Sequence, residues 1–257
     1  MPDIVNPGPI SLVTFDLYDT LVEAETPRWV RFARAAQGAG LAGDAIAFRT
    51  ADRVAEDYFT IENARIPIRD RSPEDMEAFR VTYTARMLEA AGLVHDPETA
   101  RRVRQIYVGE LDAAGWNYRV FEDVMPALTM LAEAGIKRAV ISNADADITE
   151  FCLHLGFARH MDLIVTSALV GWEKPDARTF FAALDPLGVA PEAAIHIGDQ
   201  VHSDVAGARA IGMGAALIDR YNRHSDDEHD AVRVESLTQL AEMVIAHNAV
   251  LAGSVGE

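Results

Sequence analysis

Hydrophobic residues follow two different patterns along this chain. Residues 10–15 form an apolar run rich in β-branched side chains, which is typical of a buried strand, and Asp16 follows it directly. From about Pro27 to Ala114 the apolar residues recur at the spacing of one helix face, and strand-like runs are nearly absent. From Phe121 onward short apolar runs alternate with helical spacing. We therefore predict one strand, then four or five helices, then an alternating α/β segment.

The alternating segment predicts a parallel sheet, because strand–helix–strand units have right-handed crossovers that cover both faces of a sheet. A helix rich in small residues is expected over residues 204–211, with Gly207 allowing close packing on the sheet. The runs interpreted as strands are residues 137–141, 163–166, 194–197 and 215–218. We predict an α/β fold with a doubly wound, mostly parallel, Rossmann-like sheet, formed by residues 1–21 and 115–257.

Residues 22–114 are predicted to form a separate helical domain, inserted after the first strand. Ser72 is a candidate N-cap with Pro73 at the first helical position, and Gly92 and Gly109 are expected to interrupt helices. Arg28 is a candidate for a ligand contact, although a surface or packing position is the more common role of such a residue. The alternative is that these helices pack directly on the sheet.

Composition narrows the function classes. The formal charge of −17 argues against a nucleic-acid partner, which needs a basic surface, but a bound cation still allows a small phosphorylated substrate.

Cys152 is the only cysteine, so no internal disulfide can form and a reducing, cytoplasmic location is expected. No apolar run is long enough to span a membrane. The polar residues 221–230 are interpreted as a solvated loop rather than a metal or partner site. Monomer and homodimer are both compatible with the sequence.

Polar residues collect after the predicted strands. Asp16 follows the first strand, Ser142 and Asn143 the second, and Asp199 the fourth, while Lys174 lies in the loop after the third. Each has an ordinary explanation as a cap or turn residue. In an open parallel sheet, however, ligands bind beyond the carboxyl ends of the strands. Their joint placement at one edge therefore predicts a functional site.

Four segments in this order resemble the four motifs of the haloacid dehalogenase-like (HAD) hydrolase superfamily. The helical insert is similar to the cap of its type I subgroup. The matching segments are F-D-L-Y-D-T-L at Asp16, V-I-S-N at Ser142, G-W-E-K-P at Lys174, and I-G-D-Q-V-H-S-D-V-A-G-A with Asp199 and Asp204. The resemblance covers the whole α/β part of the chain.

The resemblance implies a role for each matched residue. Asp16 would be the nucleophile, forming an aspartyl-phosphate that water then cleaves. Ser142 and the backbone N–H of Asn143 would bind a phosphoryl oxygen, and Lys174 would pair with Asp16 and neutralise charge on the transferred group.

The resemblance also implies a Mg²⁺ site. Asp199 and Asp204 would hold the ion together with Asp16 and the main-chain carbonyl of Tyr18, a set of oxygen ligands that Mg²⁺ favours. The predicted activity is that of a Mg²⁺-dependent phosphatase acting on a small phosphorylated metabolite.

Tyr18 departs from the phosphatase pattern. Family phosphatases usually have an aspartate at this position as general acid and base, and Asp19 is expected to point to the opposite side of an extended backbone. A tyrosine here resembles the 2-haloacid dehalogenases of the same superfamily, which displace halide without a metal. Those enzymes also place a tyrosine six residues after the lysine, where this chain has Phe180. A haloacid dehalogenase, or a weakly active binding relative, therefore stays open as an alternative.

Overall fold

The computed structural model describes residues 8–67, 70–114, 117–144, 146–224 and 231–254. The chain divides into two compact units. One comprises Met1–Glu23 and Val120–Glu257, and the other is Ala24–Arg119. None of the helices in the described ranges has the length and apolar character needed to cross a membrane.

A six-stranded sheet forms the centre of the first unit. All its strand pairs are parallel. In spatial order the strands are β5 (Leu163–Thr166), β4 (Lys137–Ser142), β1 (Leu12–Phe15), β6 (Ala194–Gly198), β7 (Gly214–Ile218) and β8 (Val232–Val234). The strand order reverses at β1, which creates the switch point where open α/β sheets bind ligands. The predicted α/β fold with a parallel, Rossmann-like sheet is confirmed.

Helices cover this sheet, and β1 is buried along its whole length. This burial explains its continuous apolar sequence, since a strand covered on both faces has no solvent side. Phe180 and Leu184 contribute to a core cluster that includes Leu12 of β1. In its described residues the α-helices of the unit are α5 (Val124–Glu133), α6 (Thr149–His154), α7 (Ser167–Val170), α8 (Ala177–Leu187), α9 (Gly207–Ala210) and α10 (Leu237–Ser254).

The second unit contains four helices in its described residues, α1 (Arg28–Gly38), α2 (Ala45–Arg65), α3 (Pro73–Ala90) and α4 (Pro97–Ala114). Ser72 caps α3 by accepting a hydrogen bond from the backbone N–H of Asp75, and Pro73 is its first residue, as predicted. The expected interruption at Gly109 is wrong, because this residue lies inside α4. One glycine costs a helix only about 1 kcal/mol, and α4 is supported by packing on α1 and α3.

Two short strands lie where the division between the units falls. They are β2 (Val22–Ala24) and β3 (Tyr118–Val120), and they pair in a separate two-stranded sheet. The sequence pattern did not predict them, because three residues are too few to show a period of two.

The helix expected to begin at Asp204 begins earlier and in a different form. Residues Val201–Ala206 form a π-helical turn, and α9 continues from Gly207. In this turn the backbone N–H of Val205 donates to the carbonyl of Gln200. The turn brings the Asp204 carboxylate so close to Gly198 that a Cβ there would overlap it. The prediction was wrong here because a single π-helical turn has no distinctive sequence period.

Gly207 provides a test of close packing under the site. A Cβ at this position would lie 2.9 Å from the Phe180 ring and 3.0 Å from the Cα of Pro175. We expect Gly207→Ala to lower the free energy of unfolding by about 1–3 kcal/mol, because the buried ring and the backbone have to move. Gly109→Ala is the matched control, since its Cβ meets nothing within 4 Å inside a helix. That change should raise the free energy of unfolding by about 0.5–1 kcal/mol. Urea denaturation measures both, and equal effects of the two substitutions would contradict the account.

Candidate active site

The predicted polar residues meet at the carboxyl edge of the sheet. Asp16 follows β1 directly, Ser142 is the last residue of β4, and Asp199 follows β6. Because β1 lies between β4 and β6, these three positions come from adjacent strands. Lys174 joins them from the loop between α7 and α8.

The Lys174 ammonium lies between two carboxylates. Its Nζ donates to Asp16 Oδ1 at 2.7 Å and to Asp204 Oδ1 at 2.6 Å, and its side chain is 2% exposed. Burial alone would lower the pKa of Lys174, but the two carboxylates outweigh it and raise the pKa. Lys174 therefore stays charged in a position with almost no water.

Three carboxylates converge beside this lysine. Oxygen atoms of Asp16, Asp199 and Asp204 all lie within 4.8 Å of one another. Burial raises the pKa of Asp16 to about 6, and Lys174 offsets only part of that rise. Burial also raises the pKa of Asp199, and the neighbouring carboxylates add to this effect. Oxygen donors that repel one another at such short range form a suitable site for a divalent cation.

Asp204 has the most complete set of partners. Besides Lys174, its carboxylate accepts the backbone N–H of Gln200 at 3.0 Å and lies 3.2 Å from His196 Nε2. Burial would raise the pKa of Asp204, but Lys174 and His196 outweigh it and hold the pKa well below its ordinary value. Asp204 is thus ionised throughout the ordinary pH range.

His196 supports Asp204 from inside β6. Burial lowers its pKa, so the imidazole is neutral. A carboxylate only accepts hydrogen bonds, so Nε2 carries the proton that faces Asp204. Nδ1 then accepts from the Thr14 hydroxyl, whose oxygen is 2.8 Å away.

Ser142 and Asn143 differ in their contacts. The Ser142 hydroxyl is buried and has no hydrogen-bond partner among the residues that the structure describes. The Asn143 side chain instead holds the backbone of Lys174, donating to its carbonyl at 2.9 Å and accepting its N–H at 2.7 Å. Asn143 therefore positions the lysine, a role that its place in the sequence did not reveal.

Arg223 and His224 are site residues that the sequence interpretation missed. Arg223 Nη2 donates to Asp199 Oδ2 at 2.7 Å, and His224 Nε2 lies 3.1 Å from the Asp199 carbonyl oxygen. Asp219, directly after β7, accepts the backbone N–H groups of both residues and so fixes this turn. Both side chains are largely buried, so a solvated loop is the wrong description for this part of 221–230. Residues 225–230 lie outside the described part of the chain.

The sequence interpretation assumed an extended backbone at Asp19, and this assumption is wrong. Its φ is 58°, in the left-handed region, so alternation of side chains along a strand does not apply. The Asp19 carboxylate lies 3.7 Å from Arg223 Nη1. The ring of Tyr18 lies with its centroid 6.3 Å from that of Phe151.

Removing the central cation tests this electrostatic arrangement. Lys174→Met leaves Asp16 and Asp204 buried without their shared partner. We expect the free energy of unfolding of the metal-free protein to fall by about 3–5 kcal/mol, as for other broken buried ion pairs. Lys137→Met, at an exposed lysine of β4, is the control and should change it by less than about 1 kcal/mol. Similar urea midpoints for the two variants would show that Lys174 does not neutralise this cluster.

Comparisons with known proteins agree with the geometry. The chain is 29% identical over 210 residues to haloacid dehalogenase-like hydrolase domain-containing protein 3 of Bos taurus, covering 81% of this chain and 82% of that protein. It is 34% identical over 151 residues to a phosphoserine phosphatase of Thermus thermophilus, covering 58% of each. The structure of a 2-haloacid dehalogenase from Pseudomonas syringae matches with a TM-score of 0.53 and 27% identity, covering 93% of this chain and 99% of that one. The sequence model of the haloacid dehalogenase-like hydrolases matches residues 10–212, so the chain is a hydrolase of this family.

Proposed function

We propose that this chain is a Mg²⁺-dependent phosphatase that hydrolyses a small phosphorylated metabolite in the cytoplasm, with Asp16 as nucleophile. The observation that carries the proposal is the cluster of Asp16, Asp199 and Asp204 beside the buried Lys174. The phosphatases among the relatives support the reaction class. The helical unit, Ala24–Arg119, is proposed to be the cap that selects the substrate.

In the proposed reaction, a carboxylate oxygen of Asp16 attacks phosphorus, and the bond to the leaving oxygen breaks. Water then attacks phosphorus of the aspartyl-phosphate, which releases phosphate and restores Asp16. Lys174, 2.7 Å from Asp16, neutralises charge on the transferred group. The Ser142 hydroxyl and the backbone N–H of Asn143 are proposed to donate to a phosphoryl oxygen. The Ser142 hydroxyl has no hydrogen-bond partner among the described residues, which is consistent with this role.

The carboxylates provide a suitable metal site. Asp16, Asp199, Asp204 and the carbonyl of Tyr18 would hold Mg²⁺, and the convergence of the three carboxylates fits its preference for oxygen ligands. When bound, the ion supplies positive charge that lets an anionic phosphate approach an anionic nucleophile. Arg223 would keep Asp199 in place through its 2.7 Å hydrogen bond.

Tyr18 limits proton delivery to the leaving group. A tyrosine with an ordinary pKa near 10 is a weaker acid than the aspartate of the family pattern. We therefore propose that the enzyme is slow with alkyl phosphates and faster with substrates whose leaving group needs no proton, such as acyl phosphates.

A 2-haloacid dehalogenase is the second candidate, and Tyr18 is the observation that favours it. Asp16 would then displace halide from carbon, a leaving group that needs no proton. The buried Asp199 and Asp204 argue against this candidate, because the dehalogenases resembled here work without metal. Phe180 replaces their second tyrosine and is fully buried, with its ring 5.2 Å from that of His196.

Activity assays separate the two candidates. We expect phosphate release from acetyl phosphate and p-nitrophenyl phosphate to require Mg²⁺ and to stop on chelation. Asp16→Asn should lower the rate by at least about a thousandfold, because the nucleophile is lost. Asp185→Asn, at an exposed aspartate of α8, should leave the rate unchanged. Metal-independent halide release from 2-chloropropionate, without phosphate release, would overturn the phosphatase proposal.

Restoring the acid tests the role assigned to position 18. Tyr18→Asp should raise kcat/KM for alkyl phosphates by about a hundredfold, the usual contribution of general acid catalysis. The rate with acetyl phosphate should change much less, since its leaving group needs no proton. Tyr18→Asn is the matched control without an acid. An equal gain in both variants would show that the tyrosine acts through its size and not through proton delivery.

A further inference from the structure

The helical unit contains a buried arginine whose Nε has no hydrogen-bond partner among the residues that the structure describes. Arg31 of α1 is only 8% exposed, and its Nε is fully buried. Among the residues that the structure describes, no group accepts a hydrogen bond from that Nε. A guanidinium cannot lose its proton in a protein, so Arg31 places a positive charge here whose Nε donor has no acceptor among those residues.

Arg28, three residues earlier in α1, shows what a matched arginine looks like in this unit. Its Nε and Nη2 donate to the two oxygens of Asp52 at 2.7 and 3.0 Å. Its Nη1 lies 2.9 Å from Glu56 Oε1, which also accepts the hydroxyl of Tyr83 at 2.7 Å. Residues three apart share a helix face. The same face of α1 therefore carries Arg28, whose donors have acceptors, and Arg31, whose Nε has none among the described residues.

A shortage of acids does not explain the missing acceptor at Arg31. The chain has 40 aspartates and glutamates against 23 lysines and arginines. Buried hydrogen-bond donors in proteins normally have an acceptor, and leaving one without an acceptor costs stability. Such a cost is acceptable where the missing partner is a ligand, because the bound anion then supplies the acceptor.

The surroundings of Arg31 suit a small anion. The next residue, Phe32, stacks on Tyr107 with ring centroids 4.0 Å apart, which fixes the Tyr107 ring against α1. Burial raises the pKa of Tyr107, while the positive charges of Arg28 and Arg31 act on it in the opposite direction. Tyr107 therefore keeps its hydroxyl proton beside two positively charged side chains.

We propose that Arg31 is the centre of an anion-binding site within the helical unit, taking a carboxylate or phosphate group of a small molecule. A planar guanidinium fits two oxygens of either group through parallel N–H donors, which makes these groups its preferred partners. The site is independent of the proposed phosphatase activity, since it needs neither Asp16 nor a metal.

Direct binding to the full chain tests this site without turnover. Sodium malonate and sodium phosphate are titrated separately, in magnesium-free buffer, against sodium chloride of equal ionic strength. The readouts are the arginine Nε–H resonances, with that of Arg31 identified by its absence in Arg31→Lys, and the midpoint of thermal unfolding. We expect saturable movement of the Arg31 resonance with at least one of the two anions. Malonate alone identifies a carboxylate site, and phosphate alone identifies a phosphate site.

Three variants complete the test. Arg31→Gln should weaken binding of the anion that moves the Arg31 resonance by at least about tenfold. Arg31→Lys should weaken it less, because lysine keeps the positive charge but lacks the paired N–H donors of a guanidinium. Arg34→Gln, at an exposed arginine of the same helix, should bind as the wild type does. Arg31→Gln should also unfold at the same temperature as the anion-free wild type or a higher one, since a buried donor without an acceptor is removed. An Arg31 resonance that neither anion moves would overturn the proposal. A less stable Arg31→Gln with unchanged anion affinity would overturn it too.

Discussion

The site depends on one buried interaction, the ammonium of Lys174 held between Asp16 and Asp204. Three carboxylates at the end of a parallel sheet repel one another, and burial makes their ionised forms more costly still. Lys174 pairs with two of these carboxylates and Arg223 with the third, Asp199, so two positive charges face three negative ones. These two side chains therefore hold the three carboxylates close together before a cation binds.

Backbone features bring these groups within reach of one another. The π-helical turn Val201–Ala206 directs Asp204 toward Gly198, where a side chain would not fit. Gly207 then lets the next turn approach Phe180, and Asn143 fixes the backbone of Lys174 through two hydrogen bonds. The packing of the core therefore also sets the geometry of the site. A substitution in the core beneath the site should change both the stability of the fold and the positions of the site residues.

Sequence reasoning found the parts of this arrangement that follow from strand order. Asp16, Ser142 and Asp199 all end or follow apolar runs, and parallel strands place such residues at one edge. It missed Arg223 and His224, since a polar stretch after a strand resembles a solvated loop until Asp219 is seen to fix it. The strands β2 and β3 were too short for a periodic pattern. Arg31 gave no signal either, because a missing partner is visible only in three dimensions.

The proposed reaction requires Asp16 to become covalently phosphorylated during turnover. The most direct measurement is to stop the reaction with acetyl phosphate and Mg²⁺ in acid, reduce the protein with borohydride and map its peptides by mass spectrometry. An aspartyl-phosphate is an activated acyl group that borohydride reduces to an alcohol, whereas a free carboxylate is unchanged. If Asp16 is the nucleophile, homoserine appears at position 16 and at no other aspartate. Phosphate release in which position 16 stays aspartate, or in which another residue is reduced, would contradict this role.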